Sequence, residues 1–310
     1  MTDDPQTDQQ PDPDRQAWTI RFWRWLAIAL AVAIIVAIVL MIAPRGHQDG
    51  KPGVIYTGAT PRPGQATTGV YITPMDGRGP ILDEIAAAKK EITLQIYLIG
   101  DTEIIDALTS AARRGVHVRM LLEEHPYGGA GGQPEMFKRL ADAGIDIRWS
   151  NPVFRFSHVK TFTIDRRVVI IMNQNLTYSA FKQNREIGVI TNRPAEVAQA
   201  HAIFEADWNR TAEPENGPLV ISPTNARESL LTLIDSATSS LDIYAEVLRD
   251  DAFFQAIARA AERGVKVRIV MSPGDEKQMT TLRGLIDRGV QVRLVSDIYI
   301  HAKLFLVDGK

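Results

Sequence analysis

The sequence predicts an α/β protein in which two repeated lobes of mixed or parallel sheet, flanked by helices, follow one N-terminal transmembrane helix. Three observations support this prediction. A segment with the pattern helix, strand, helix, strand occurs twice, over residues 81–122 and 230–271. The motif His-x-Lys-x-x-x-x-Asp also occurs twice, and an uncharged apolar stretch covers residues 25–43. Strands that alternate with helices favour parallel βαβ units with helices on both faces of the sheet.

The apolar stretch from Trp25 to Ala43 has about the length that a helix needs to cross the hydrocarbon core of a bilayer. Aromatic residues precede it, as is common near lipid headgroups. A buried core helix would carry a polar stripe, which this stretch lacks. The alternative is a cleaved signal peptide, but the preceding region is long and acidic, and the sequence around Pro44 is a poor cleavage site. We therefore expect an uncleaved single-pass anchor.

Basic residues on the two sides of this stretch predict its orientation. Arg15, Arg21 and Arg24 precede it, whereas Arg45 and Lys51 follow it. The slight excess before the stretch predicts a cytoplasmic N-terminus and an extracytoplasmic catalytic part. Composition then divides the chain into a disordered tail, the anchor, a linker and two lobes. The expected boundaries are 1–24 for the tail, 25–43 for the anchor, 44–68 for the linker, 69–212 for the first lobe and 213–310 for the second.

Charge and cysteine content exclude several classes of site. The formal net charge of −2 gives no general reason for tight binding of nucleic acid. The chain has no cysteine, so it can form neither disulfides nor thiolate metal sites. Zinc binding by the two motif histidines is disfavoured because the neighbouring lysines would repel a cation. We therefore expect a reaction that requires neither metal nor cofactor.

Each repeat shows the same local signals. Gly115 and Gly264 mark the C-terminal ends of helices, and a buried strand follows each glycine. A further helix, glycine and strand follow over residues 134–149 in the first lobe and 278–295 in the second. The alternative interpretation is two independent α/β domains joined by residues 211–218. It is disfavoured because each motif alone would lack a partner for two-step chemistry.

The duplicated motif contains the groups that phosphodiester chemistry needs. One imidazole can attack phosphorus and a second can protonate the leaving oxygen, while two lysine ammonium groups hold the phosphoryl oxygens. We therefore take the motif residues as the catalytic site. They are His158, Lys160 and Asp165 in the first copy and His301, Lys303 and Asp308 in the second.

The segment after the first motif predicts two amides beside the site. A hairpin with residues 166–167 at its tip would pair Lys160 with Asn173 and His158 with Asn175. All four side chains would then lie on one face of the sheet, where the amides could bind phosphoryl oxygens.

Three carboxylates are expected to play supporting roles. Asp165 and Asp308 fall out of phase with the histidines and lie at turns, so we expect them to act through salt bridges or turn hydrogen bonds. Glu186 follows the first motif and could orient a histidine by accepting its other N–H.

Together these features resemble the phospholipase D superfamily. The resemblance covers residues 69–310 and rests on the paired motif, the two Gly-Val-x-Val-Arg strands and the stretch Tyr-Ile-His-Ala-Lys-Leu-Phe-Leu-Val-Asp-Gly at residues 299–309. The superfamily pattern continues past Asp with Gly-Ser-x-Asn. Here Asn175 matches the final Asn, Asn173 stands in place of Ser, and Glu186 matches the following Glu.

The resemblance implies two lobes that form one site and a reaction through a phosphohistidine. It assigns His158 as the nucleophile and His301 as the general acid. The superfamily has a further strand after the second motif, whereas this sequence ends at Lys310. We therefore expect a fragment of a longer protein with an incomplete second lobe.

The function expected from the resemblance is a membrane-anchored, monomeric phospholipase D-like phosphodiesterase that hydrolyses phospholipid. An anchor would hold such a site beside its lipid substrate. Alternatives are a cardiolipin synthase-type phosphatidyltransferase, a phosphodiesterase nuclease and a catalytically inactive binding module. The nuclease is disfavoured because no basic stripe interleaved with aromatic residues is evident.

Overall fold

A computed structural model of the chain describes residues 67–127, 133–214 and 216–309. These residues form two β-sheets with helices packed against them, which confirms the predicted mixed α/β class. The predicted tail and membrane anchor, and all of the predicted linker except its last two residues, lie outside the described residues. Within the described ranges, no helix combines the length and apolar character needed to cross a membrane.

The first sheet contains the strand that carries the first motif. Its neighbour order is β1-β7-β6-β5-β2-β3-β4. Strands β2, β3 and β4 pair in parallel, whereas β5, β6, β7 and β1 add in antiparallel fashion, so the sheet is mixed. The strands are β1 (Thr68–Thr73), β2 (Glu91–Ile96), β3 (His117–Leu122), β4 (Asp146–Trp149), β5 (Lys160–Ile164), β6 (Val168–Met172) and β7 (Asn184–Thr191).

Helices accompany both faces of the first sheet. The buried side of α2 carries Ile104, Ile105 and Leu108, and Asp101 caps this helix by accepting a hydrogen bond from the Ile104 amide. Helix α5 packs against β2, β5 and β6. The helices are α1 (Gly79–Ala87), α2 (Thr102–Arg113), α3 (Gln133–Asp142), α4 (Tyr178–Lys182) and α5 (Pro194–Asn209).

The second sheet repeats the parallel part of the first. It has the order β10-β9-β8-β12. Leu241 lies opposite Val267, which is the register of Ile92 and Val118 in the first repeat. Asp250 caps the following helix as Asp101 does. The elements are α6 (Ala226–Asp235), β8 (Ser240–Tyr244), α7 (Asp251–Glu262), β9 (Lys266–Met271), α8 (Glu276–Ile286), β10 (Gln291–Leu294) and β12 (Leu304–Val307).

One short strand joins the two repeats. Strand β11 (Tyr299–Ile300) follows β10 in the chain, yet it pairs in parallel with β7 of the first sheet. The chain then crosses to β12, which pairs with β8 in the second sheet. The two repeats therefore share a strand pair, which two independent α/β domains would not do.

The hairpin between β5 and β6 differs from the predicted register by one residue. Thr161 lies opposite Ile171, and this register continues to place Lys160 opposite Met172 instead of Asn173. The connection includes Asp165 and Arg166 in the left-handed region, with φ of 52° and 47°. Since the loop has three residues instead of two, the expected pairing of Lys160 with Asn173 and His158 with Asn175 is wrong.

We predict that Gly188→Ala destabilises the first sheet. Gly188 lies opposite Tyr71, and a Cβ at Gly188 would overlap the fully buried Tyr71 ring, whose hydroxyl accepts a hydrogen bond from Gln174 Nε2 at 2.6 Å. Overpacking of this kind costs about 1–3 kcal/mol, which thermal unfolding would register as a fall of several degrees. Gly100→Ala is the matched control, because a Cβ there meets no atom within 4 Å. Equal melting temperatures for the two variants would contradict the prediction.

Candidate active site

The motif histidines and lysines lie at or just before the start of a strand. Lys160 is the first residue of β5 and His158 precedes it, whereas His301 and Lys303 lie between β11 and β12. Three of these four residues therefore lie outside strands. The physical reason in the second copy is that the chain passes between sheets, and the amides of His301 and Ala302 both donate to the Arg185 carbonyl, at 3.1 and 2.8 Å.

His301 is held by a buried carboxylate from the first repeat. Its Nδ1 lies 2.7 Å from Oε2 of Glu186, a residue with no exposed surface. The other oxygen of Glu186 accepts from Asn184 Nδ2 at 3.1 Å. A carboxylate accepts the proton on Nδ1, so the bond fixes the imidazole and directs Nε2 toward the site. Glu186 thus contacts a motif histidine, as the sequence predicts, and that histidine is His301.

A second carboxylate, Glu246, lies among the residues of the second motif. Its Oε2 lies 2.6 Å from Lys303 Nζ and 3.4 Å from His301 Nε2, while Oε1 accepts from the Tyr299 hydroxyl at 3.1 Å. Burial raises the pKa of Glu246, but the hydrogen bond and charge of Lys303 outweigh this effect and bring the pKa below its ordinary value. Burial and the Glu246 charge raise the pKa of Tyr299 to about 12.

An aromatic ring faces the first motif. The Tyr97 ring centroid lies 4.4 Å from that of His158 and 5.2 Å from Lys160 Nζ. Lys160 is buried, and its ammonium donates to the His158 carbonyl at 2.8 Å. Burial, followed by the charge of Lys303, lowers the pKa of Lys160 to about 7.

The His158 imidazole is available as a neutral base and nucleophile. Its side chain is exposed at the edge of the site, yet the protein around it still lowers its pKa to about 4. Desolvation is the largest cause, and Lys160, Lys303 and His301 add positive potential. Since residues of the second copy act on His158 and Lys160, the structure brings the two motifs into one electrostatic environment.

The two predicted amides differ in their surroundings. Asn173 Oδ1 accepts a hydrogen bond from the Lys303 backbone amide at 3.2 Å, so this side chain positions the second motif. Asn175 Oδ1 is buried, and it has no hydrogen-bond partner within the part of the chain that the structure describes. A phosphate-binding role for either amide stays a prediction.

The motif aspartates brace turns through hydrogen bonds, as expected. Each carboxylate accepts from three successive backbone amides at the start of a neighbouring strand. Partial burial opposes the effect at Asp165, but the amides lower the pKa of both carboxyl groups below the ordinary value. The donors are Lys89, Lys90 and Glu91 for Asp165, and Thr238, Ser239 and Ser240 for Asp308.

A cavity of about 890 Å³ opens beside His158 and Lys160. Its wall is mostly apolar and comes from the segment before β5, from β6 and α5, and from the connection between the repeats. The wall also contains Asp207, whose pKa is raised by burial and whose carboxylate accepts a hydrogen bond from Gln95 Nε2. The apolar lining residues are Phe154, Phe156, Val159, Ile171, Met172, Ala200, Ile203, Leu219, Val220, Ile221 and Pro223.

Sequence reasoning missed Tyr97 and Glu246, although a signal for both exists. When the repeats are aligned so that Asp250 matches Asp101 and Gly264 matches Gly115, Glu246 falls on Tyr97. Both residues lie just beyond the C-terminal end of the first parallel strand of their repeat, β2 or β8, where polar groups commonly form sites. In the described ranges, no group of three or more His, Asp or Glu side chains is arranged to hold a metal ion. The expectation of a reaction without metal stays a prediction.

Comparison with known families agrees with this geometry. The family model described as "Cardiolipin synthase, PLD-like domain" matches residues 81–208 and 230–310, which include both motifs. The chain therefore belongs to the phospholipase D superfamily, within the family that this model describes. The resemblance stated from the sequence is confirmed.

Individual relatives are distant. The chain is 23% identical to "Cardiolipin synthase A" of Serratia proteamaculans, over 74% of this chain and 58% of that protein, so it spans little more than half the relative's length. Its fold is similar to polyphosphate kinase from Porphyromonas gingivalis, with a TM-score of 0.61, 19% identity, and coverage of 78% and 44%. Phosphatidylserine synthase from Haemophilus influenzae also gives a TM-score of 0.61, at 14% identity, with coverage of 77% and 76%. At these identities the two structures establish the fold alone.

We predict that anion binding is accompanied by proton uptake above neutral pH. With a pKa of about 7, Lys160 is mostly neutral at about pH 8, and a bound anion favours its charged form. Dimethyl phosphate, which has no titrating group near neutral pH, should bind with uptake of up to about one proton at pH 8 and with less uptake at pH 6. Calorimetry in buffers of different ionisation enthalpy measures this number. Equal uptake at the two pH values would contradict the prediction, and Lys138→Met, an exposed lysine paired with Asp142, should leave it unchanged.

Proposed function

We propose that this site cleaves the phosphodiester bond of phospholipids through a covalent phosphohistidine. The observation that carries the proposal is the convergence of His158, Lys160, His301 and Lys303, with Glu186 fixing one imidazole. It supplies a neutral nucleophile, a positioned acid and two cations for one phosphoryl group. Membership of the phospholipase D superfamily supports the same chemistry.

The first step transfers the phosphoryl group to the protein. An imidazole nitrogen of His158 attacks phosphorus, and the bond from phosphorus to the leaving oxygen breaks. The proton on His301 Nε2 passes to that oxygen, while Glu186 stabilises the imidazolium from the Nδ1 side. Lys160 and Lys303 hold the non-bridging oxygens as charge develops on them.

The second step releases the phosphoryl group. An acceptor oxygen attacks phosphorus, and the bond between phosphorus and His158 breaks. His301, neutral after the first step, takes the proton of the acceptor and is ready for another cycle. Water as acceptor gives hydrolysis, and an alcohol gives transfer.

The cavity beside His158 supports a lipid substrate. Its lining is mostly apolar, and its volume of about 890 Å³ is within the range of small-molecule sites. An acyl chain would bury apolar surface there while the phosphate lies against the lysines. A nucleic-acid backbone would gain nothing from such a wall, and the net charge of −2 does not favour it.

A phosphatidyltransferase is the second candidate. The description of the matched family model and the name of the relative from Serratia proteamaculans both contain the words cardiolipin synthase. In such a reaction the alcohol group of a second lipid would replace water as the acceptor. The two candidates share the first step and differ only in the acceptor.

We also infer that the protein works at a membrane, anchored through residues 25–43 with the catalytic part outside the cytoplasm. The support is the uncharged apolar stretch and the arginines that precede it. Release of the full chain from membranes by high-salt washing would contradict this anchor.

The lipid reaction can be tested with labelled phosphatidylglycerol and the full chain. Thin-layer separation should show phosphatidic acid if water is the acceptor and cardiolipin if a second phosphatidylglycerol is. We expect His158→Ala to reduce either product by about a thousandfold or more, because the covalent route is lost. His117→Ala, which changes an exposed histidine at the start of β3, is the matched control. No product from the unchanged protein, or full activity of His158→Ala, would refute the proposal.

The roles of the two histidines predict where a covalent adduct forms. In His301→Ala, a p-nitrophenyl phosphodiester should still react, because nitrophenolate leaves without a proton, whereas turnover of a natural lipid should fall sharply. The second step also lacks its base, so we expect a burst of about one nitrophenolate per protein and a phosphorylated His158. Peptide mass spectrometry locates the adduct. An adduct on His301 in the unchanged protein, with none on His158, would reverse the assignment.

A further inference from the structure

The two halves of the site differ at one equivalent position. Tyr97 follows β2 and contacts His158 and Lys160, whereas its counterpart in the second repeat, Glu246, follows β8 and contacts His301 and Lys303. A neutral ring thus stands in one half-site where a carboxylate stands in the other. The His, Lys and Asp residues of the motif are the same in both halves, so Glu246 adds a negative charge that the equivalent position of the first half-site lacks.

The charges of the site can be counted in the state that begins the first step. Lys303 and Lys160, which takes up its proton when the anion binds, contribute two positive charges. Glu186 and Glu246 contribute two negative charges, and His158 contributes none. With the proton that the first step requires on His301, the sum is one positive charge. A phosphodiester carries one negative charge and balances it, but a phosphomonoester dianion leaves an excess negative charge in a partly desolvated site.

The contacts of Glu246 hold its carboxylate close to the position of a bound anion. One of its oxygens lies against Lys303 Nζ and His301 Nε2. These are the two groups of the second half-site to which the proposed mechanism assigns the phosphoryl and leaving oxygens. Its other oxygen is held by the Tyr299 hydroxyl, which restrains the carboxylate beside the phosphate position. A second negative charge on the phosphoryl group would therefore lie close to this carboxylate.

We propose that Glu246 is a specificity-determining residue that admits monoanionic phosphodiesters and excludes dianionic phosphomonoesters. The inference rests on the proposed function, since the hydrolysis product of a phospholipid is itself a phosphomonoester. Glu246 then speeds departure of that product and prevents free phosphomonoesters from occupying the site. Tyr97 cannot perform this role, because its ring is uncharged.

Two matched probes test the proposal on the full chain. Dimethyl phosphate is a monoanion, and methyl phosphate is mostly a dianion at about pH 7, because the second pKa of a phosphomonoester is about 6. Calorimetry measures the affinity of each. We expect Glu246→Gln to strengthen methyl phosphate binding by about tenfold or more relative to dimethyl phosphate, since one unit of negative charge is removed beside the phosphate. Glu262→Gln, which changes an exposed carboxylate of α7 paired with Arg288, should leave both affinities unchanged.

A second, reciprocal variant separates the effect of charge from an effect of altered folding. Tyr97→Glu places a carboxylate in the other half-site and should weaken methyl phosphate binding more than dimethyl phosphate binding. Equal changes for both probes in Glu246→Gln, or no change, would overturn the proposal. Lipid turnover is measured separately. Charge discrimination without lipid turnover would defeat the proposed function alone, whereas lipid turnover without charge discrimination would defeat this inference alone.

Discussion

The buried carboxylate of Glu186 is the constraint on which the arrangement of the two repeats depends. A charged group with no exposed surface needs a partner, because leaving it unpaired costs several kcal/mol. Asn184 supplies one donor from the same strand, but the imidazole partner, His301, comes from the second repeat. Pairing of β11 with β7 delivers that histidine. The hydrogen bond that pairs the buried Glu186 carboxylate therefore also joins residues of the two repeats in the catalytic centre.

Local signals predicted most of the fold. The helices that end before Gly115 and Gly264, and the strands that follow them, are found where the spacing of apolar residues and glycines places them. Each signal depends only on neighbours in the chain, so it can be read without knowing the tertiary structure. The β5–β6 register could not be read in this way. It depends on left-handed backbone at Asp165 and Arg166, a conformation that neither residue type demands.

The site was predictable to the extent that its residues belong to a repeated motif. The duplicated histidines and lysines and Glu186 stand in the sequence pattern and lie around one centre. The turn aspartates also stand in the pattern, but they brace the far ends of β5 and β12. The position of His301 just after β11 was not predictable, because it depends on the pairing of β11 with β7 of the first sheet, whereas β12 pairs with β8 of the second sheet. Glu246 belongs to no motif, and only comparison of the repeats shows that a carboxylate replaces a ring there.

The shared strand pair has a consequence for biosynthesis. The ribosome releases the first repeat before residues 299–301 exist, so β7 initially has no β11 beside it and Glu186 has no imidazole to contact. During that interval the carboxylate must stay hydrated or take up a proton, since it cannot be buried alone as an anion. Pairing of β11 with β7 then brings the His301 imidazole to Glu186. Newly made protein thus forms the buried Glu186–His301 contact of its catalytic centre only after residues 299–301 have been synthesised.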